Sequence, residues 1–210
     1  MKRNIVFLLL MLLACPSFSQ EKLKNEAEQD VINRLTKATA AIKTLQCDFE
    51  QTKKMAMLEE PARAEGTMHY KSTDALRWAY TSPYTFAFVV NGDKVMTQSE
   101  NKTEVVDVNK SRIYKGIANI ILGSVSGKKL FDRTAFNVEI FSDGDSWRAE
   151  LTPLKKDMKR MFSRLTFCFD KKLEIINRVE FTEASGDVTV IQFKDMVLNR
   201  DIDDKLFKIN

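Results

Sequence analysis

The sequence predicts a mainly β domain of the α+β kind. About eleven antiparallel strands curl into an unclosed barrel, with one N-terminal helix and a central helical segment as plug or lid. Three observations predict it. Apolar and polar residues alternate in many short runs bounded by polar turns, the period of strands with one buried face. A period of three to four appears in two places, near the N-terminus and at Asn109–Val125. Gly numbers 7 and Pro 4, with no repeat and no Pro- or Gly-rich linker, so the chain reads as one domain. Antiparallel strands in that number must curl.

Residues 1–19 read as a signal peptide and 20–210 as the mature domain. Lys2 and Arg3 precede an apolar run, Ile5–Leu13, that is too short for a permanent membrane span. Pro16 breaks the run, and Ser17 and Ser19 place small residues for cleavage before Gln20. A rival reading is Leu12-Leu13-Ala14-Cys15 as a lipobox with Cys15 acylated; the bulk of Leu13 and the position of Pro16 argue against it. Losing Lys2 and Arg3 lowers the formal charge from the +4 of the whole chain to +2. No later stretch is long and apolar enough to span a bilayer as a helix. The mature protein is expected to be soluble and exported.

Leu23 to Leu45 carries an apolar stripe, Leu23, Ala27, Val31, Leu35, Ala38, Ile42 and Leu45, and is predicted as a helix. Glu21, Glu26 and Glu28 near its start and Lys43 near its end suit the helix dipole. The period then becomes two: Leu45, Cys47 and Phe49; Met68 and Tyr70; Leu76, Trp78 and Tyr80; Tyr84, Phe86, Phe88 and Val90 before the turn Asn91-Gly92-Asp93. Val95–Thr97 and Val105–Val108 read as two further strands. Asn109–Val125 then places Ile113, Ile117, Ile120, Ile121 and Val125 on one helical face, which Gly116 and Gly123 each weaken by about 1 kcal/mol relative to Ala. Strands resume with Phe136, Val138 and Ile140, then Trp147, Ala149 and Leu151 up to Pro153. Lys155 to Arg160 reads as a polar connection. Leu165, Phe167 and Phe169, then Ile175, Asn177, Val179 and Phe181, then Val188–Val197 complete the set.

The chemistry that the residues exclude is broad. The chain has no G-x-S-x-G, H-E-x-x-H, C-x-x-C or phosphate-loop motif, and a catalytic triad would need the lone His69, which reads as a solvent-facing strand residue. A single His and three Cys exclude a His-rich metal centre, and the mild charge speaks against nucleic acid. No cofactor is expected, and the protein reads as a non-enzyme; carboxylates are plentiful but lie in no distinctive motif, and a hydrolase with a dispersed carboxylate pair is the third reading. Cys47 and Cys168 have opposite parity relative to their Phe neighbours, so two separate thiols are favoured over a disulfide. The cationic run Lys155, Lys156, Lys159 and Arg160 reads as a solvated loop or as a face for an acidic partner.

The inward parity gathers Phe49, Met68, Tyr70, Leu76, Trp78, Tyr80, Phe86, Phe88, Phe167, Phe169 and Phe181. Such residues either fill a core or line an adaptable cavity, and both readings stand at this stage.

The motifs resemble a known family in order along the mature chain. Phe49-Glu50-Gln51-Thr52-Lys53 is similar to the F-x-Q-x-K strand of periplasmic lipoprotein carriers of the LolA family. Gly66-Thr67-Met68-His69-Tyr70-Lys71, Leu76-Arg77-Trp78 with Pro83, Asn91-Gly92-Asp93-Lys94-Val95 and Leu151-Thr152-Pro153 follow the family pattern. The resemblance implies an eleven-stranded unclosed barrel with a helical lid over a hydrophobic cavity that takes the acyl chains of lipoproteins. It implies lipoprotein cargo, an ABC-type releasing transporter in the inner membrane, an outer-membrane acceptor and a monomeric carrier. A lipid- or lipoprotein-sensing module on the same fold is the alternative. The implied lining comprises the inward residues above together with Ile117, Ile120 and Ile121 of the lid. One position departs: Ser72 stands where many members carry an Arg that latches the lid, so lid control must differ.

Overall fold

The computed structural model describes residues 21–72, 74–107 and 130–209. The predicted signal peptide, Cys15 and the helical segment Asn109–Val125 lie outside the described residues, Ile117, Ile120 and Ile121 among them.

The described chain runs β1 (Glu21–Lys22), α1 (Asn25–Ala40), β2 (Thr44–Lys54), β3 (Ala62–Lys71), β4 (Ala75–Ser82), β5 (Phe86–Asn91), β6 (Lys94–Ser99) and β7 (Lys102–Asp107). It continues with β8 (Phe136–Asp143), β9 (Ser146–Pro153), α2 (Lys156–Met161), β10 (Phe162–Asp170), β11 (Ile176–Glu183), β12 (Val188–Leu198) and a 3-10 turn at Asp204–Phe207. All pairings are antiparallel, in the order β1-β8-β9-β10-β11-β12-β2-β3-β4-β5-β6-β7. Among the described residues the sheet has 12 strands, of which β1 is a two-residue addition to β8. The other eleven match the expected number. β1 and β7 stand at the two ends of the order, so the barrel is unclosed.

Most neighbours are hairpins joined by short turns, as the polar punctuation implied. Two pairings differ: β1 with β8 at one end of the order, and, mid-sheet, the last strand with the first long one, where Leu198 faces Leu45 and Val188 faces Lys54.

The helix is shorter than its apolar stripe. Glu21 and Lys22 pair with β8 and the Leu23 N–H donates to the Ile140 carbonyl, so the start of the stripe is extended chain. At the other end the Ala41 N–H closes the last turn, and the Lys43 N–H donates to Asn199 Oδ1 at 2.8 Å. Thr44 Oγ1 then donates to the Arg200 carbonyl at 2.6 Å, which sends the chain into β2. Long-range partners therefore trim both ends of the predicted Leu23–Leu45 helix. Lys155–Arg160 is also corrected: most of it is helical, with Asp157 in the first turn of α2 and Lys159 and Arg160 in the last, as the helix dipole favours. Tyr84 lies before β5 and is exposed.

Two apolar clusters fill the concave side. In one, Val31, Ile32 and Leu35 of α1 cover Ile140, Trp147, Leu151, Phe167 and Phe169 of β8–β10. In the other, Phe49, Met68, Tyr70, Leu76 and Trp78 of β2–β4 pack with Phe88, Val90 and Val95. Phe181 and Phe193 touch both. The buried face of α1 thus belongs to one half of the sheet. Over the other half, the described residues leave a hollow.

Candidate functional site: an apolar cavity in the curled sheet

The hollow is a cavity of about 580 Å³, inside the roughly 300–1,000 Å³ range of small-molecule sites. One wall comes from β2–β5, with Met68, Trp78, Tyr80, Phe86 and Phe88. The facing wall comes from β11 and β12, with Val179, Phe181, Ile191 and Phe193, and Ile42 and Ile175 close one end. The strand period explains this composition. Alternate residues face inward, and on these strands they are aromatic, branched or Met.

Of the residues expected to line the cavity, Met68, Trp78, Tyr80, Phe86, Phe88 and Phe181 stand on its wall. Phe49, Tyr70 and Leu76 share the inward face but lie in the core behind that surface, each at most 1% exposed. The Phe49 ring centroid is 4.1 Å from that of Trp78 and meets Tyr80 edge-on at 5.3 Å. Phe167 and Phe169 belong to the cluster under α1, where Phe169 packs 6.2 Å from Phe131. These five are core residues that shape or support the site from behind. Parity predicted their face and could not predict their depth.

The structure adds residues that were not singled out as lining: Ile42, Ile175, Ile191 and Phe193, and polar Gln51, Lys53 and Thr189. A signal for the β2 pair was present, because Gln51 and Lys53 continue the inward parity of Cys47 and Phe49. Tyr80 Oη donates to Gln51 Oε1 at 2.9 Å, and Lys53 Nζ pairs with Glu183 Oε1 at 2.7 Å. Burial, reinforced by neighbouring Tyr84, pushes the Tyr80 phenol above its ordinary pKa and keeps it a donor at neutral pH. The Trp78 indole N–H approaches the same hydroxyl but falls outside hydrogen-bond geometry, leaving a buried donor without an acceptor among the described residues.

Three further sequence features have a place. Ser72 is exposed, and its backbone N–H donates to the Lys43 carbonyl at 2.7 Å. Cys47 is buried inward while Cys168 faces the other side of the sheet, and both are free thiols, as their parity implied. His69 is half-buried on the outer face, drier than a solvent-facing residue, with no hydrogen-bond partner for its buried Nδ1 among the described residues. Among the described residues no group of three His, Cys, Asp or Glu side chains could hold a metal ion, and no helix is long and apolar enough to cross a membrane.

A curled antiparallel sheet holding an apolar cavity between its halves defines an unclosed β-barrel of the ligand-binding kind. Residues 40–210 match the family described as outer membrane lipoprotein carrier protein LolA. The chain belongs to that family. It is 26% identical over 169 residues to an outer-membrane lipoprotein carrier protein of Nitrosospira multiformis, covering 80% of this chain and 78% of that one. It is 24% identical over 208 residues to the carrier of Legionella pneumophila, covering 99% and 95%. Among solved structures it resembles the Mycobacterium tuberculosis lipoprotein LppX, with TM-score 0.52 and 11% identity over 86% of this chain and 99% of that one. It also resembles a chain of the Pseudomonas aeruginosa MucA/MucB complex, with TM-score 0.50 and 10% identity over 86% and 60%. At those identities the likeness is one of fold.

Proposed function

We propose that the protein is a soluble periplasmic carrier that takes lipoprotein acyl chains at the inner membrane and delivers them to the outer membrane. The observation that carries the reading is the cavity: about 580 Å³ of apolar space in a chain of the lipoprotein-carrier family. An acyl chain gains about 0.8 kcal/mol per buried methylene, so a multiply acylated protein does not leave a bilayer unaided. A carrier must offer an equally dry site and yet release its load. Met68, Trp78, Tyr80, Phe86, Phe88 and Phe181 supply the dry wall. Met and aromatic side chains adapt to chains of different shape.

An ABC-type transporter is the partner that supplies the energy for release, and an outer-membrane acceptor with a higher affinity gives the transfer its direction. The carrier works as a monomer, exported by the signal at 1–19. With Ser72 in place of the cationic latch, the lid is governed from elsewhere.

The test is depletion in the native cell, followed by fractionation of lipoproteins. Retention of outer-membrane lipoproteins at the inner membrane, together with co-purification of acylated cargo, is the expected result. Correct sorting after depletion overturns the proposal. Capture of a signalling protein in place of cargo and transporter would instead favour a sensor on the same fold.

A further inference from the structure

The cavity is not uniformly apolar along its length. At its inner end Thr39, Ile42, Leu45 and Ile175 are all buried, and the Thr39 hydroxyl is already used on the Leu35 carbonyl at 2.7 Å. That end is dry. At the other end, towards the β2–β3 and β11–β12 turns, Gln51 and Lys53 reach in from β2, and Thr189 faces Lys53 directly across from β12. The Lys53 and Glu183 side chains are 33% and 31% exposed, so this end meets solvent among the described residues.

The polar groups at this end share a character. Gln51 spends its carbonyl oxygen on Tyr80, which leaves its amide N–H groups to offer. The Trp78 indole N–H is buried without an acceptor among the described residues. Lys53 has three N–H groups, of which Glu183 engages one. The Thr189 hydroxyl adds a group that can donate. Thr97 and Glu104 also line the cavity, but further along, level with Phe88, and Glu104 is paired with Lys102 at 2.6 Å. At this end donors are in excess. The charge, however, is balanced, because Glu183 already neutralises Lys53 at 2.7 Å.

We propose that this end is a headgroup subsite for the uncharged acyl-glyceryl unit, read through its ester and amide carbonyls, with the acyl chains running inward towards Ile42 and Ile175. The inference rests on the carrier reading and adds a selectivity to it. Carbonyl oxygens are acceptors and carry no charge, which suits a donor-rich, balanced rim. An anionic headgroup must either face the Glu183 carboxylate or pull Lys53 away from it, leaving that carboxylate partly buried and unpaired. The Lys53–Glu183 pair therefore excludes the anionic phospholipids of the same membranes.

The experiment titrates the mature protein, following Trp fluorescence, with three probes of equal chain length: an N-acetylated, C-amidated diacylglyceryl-cysteine peptide without charged side chains, the matching diacylglycerol and the matching phosphatidic acid. Both neutral probes are expected to bind about tenfold more tightly than phosphatidic acid, a difference of about 1.4 kcal/mol. Glu183→Gln frees Lys53 and is expected to close most of that gap by strengthening phosphatidic acid binding. If phosphatidic acid binds the wild type as tightly as the neutral probes, or if Glu183→Gln leaves the ratio unchanged, the subsite is wrong and the carrier reading stands. If none of the three binds, both fall. Binding of the peptide well above the diacylglycerol identifies the lipoprotein as the source of the unit; equal binding identifies the glyceryl group itself, and either supports the subsite. A nitroxide at the methyl end of the chain is expected to broaden the NMR signals of Ile175 more than one near the carbonyl; the reverse order overturns the orientation.

Discussion

The ring of Phe49 lies so close to Gly66, its direct partner across β2 and β3, that a Cβ on Gly66 would sit 2.6 Å from Phe49 Cζ. The same Cβ would be 2.0 Å from the Ala79 carbonyl oxygen. Only a glycine admits the ring here, and the ring in turn backs Trp78 on the cavity wall. Gly66→Ala is expected to destabilise the fold by about 1–3 kcal/mol, the usual cost of overpacking a core. It should also push Phe49 towards Trp78 and weaken acyl-chain binding. Urea denaturation and a lipid titration check the two effects separately.

Leu76 and Phe86 both face inward, but only Phe86 is on the cavity wall, and it is partly exposed there. Leu76→Glu buries an unpaired carboxylate in the core and is expected to abolish the cooperative thermal transition. Phe86→Glu is expected to fold with near-native circular dichroism and to lose acyl-chain binding at least tenfold. Trp78→Glu touches both wall and core, and is expected to lose binding together with part of the stability. A lipid titration beside a thermal melt separates the three.

His69 makes stability depend on pH in a definite direction. Burial, and then the charge of Arg77 opposite it, pull its pKa below 6.5, while Asp48 pulls the other way. The unfolded chain therefore takes up this proton first as pH falls. The contribution is fully present above about pH 6.5 and is lost as pH drops towards the lower native value. His69→Gln is expected to flatten the fall in Tm below pH 6.5. A wild-type and variant pair with parallel Tm-against-pH curves would contradict it.

The two thiols of the domain should be inert until it unfolds. Burial, with a smaller push from Asp48, raises Cys47 to about 12, and burial also raises Cys168 against the opposing charges of Arg178 and Arg148. Little thiolate exists at pH 8 in either case. A thiol reagent at that pH is expected to label neither Cys quickly in native protein and both in urea, with no change in mass on prior reduction.

Much of the strand plan was legible because a half-buried strand writes its period of two into a handful of neighbours. Phe167 and Cys168, for example, announce opposite faces by adjacency alone. Helix ends were less legible. The stripe through Leu23 and Leu45 looks helical, yet the Ile140 carbonyl and Asn199 side chain that take over the backbone lie more than a hundred positions away in the chain. The cavity was legible only as a face. Leu76 and Trp78 have the same parity, and nothing local says that one is core and the other wall. That difference arises from packing between distant elements: Leu76 lies level with Leu45, Tyr70, Val90 and Val95, which bury it, whereas Trp78 lies one pair further along its strand, where the cavity begins. Gln51 and Lys53 were visible as inward by parity, but their polarity drew attention away from an apolar lining.

The seam between β2 and β12 has a consequence for how the molecule comes into being. The sheet's middle joins Leu45 to Leu198 and Lys54 to Val188, so its two halves meet only when nearly the whole chain is present. A nascent chain held short of β12 has two unsatisfied strand edges, on β2 and on β11, and no continuous sheet. Such late, long-range closure makes folding slow. If the chain is exported as proposed above, this is an advantage, because it stays threadable until β12 has passed. It also identifies the hazard: a product truncated before Val188 exposes the same two edges to neighbouring chains, and aggregation is its expected fate.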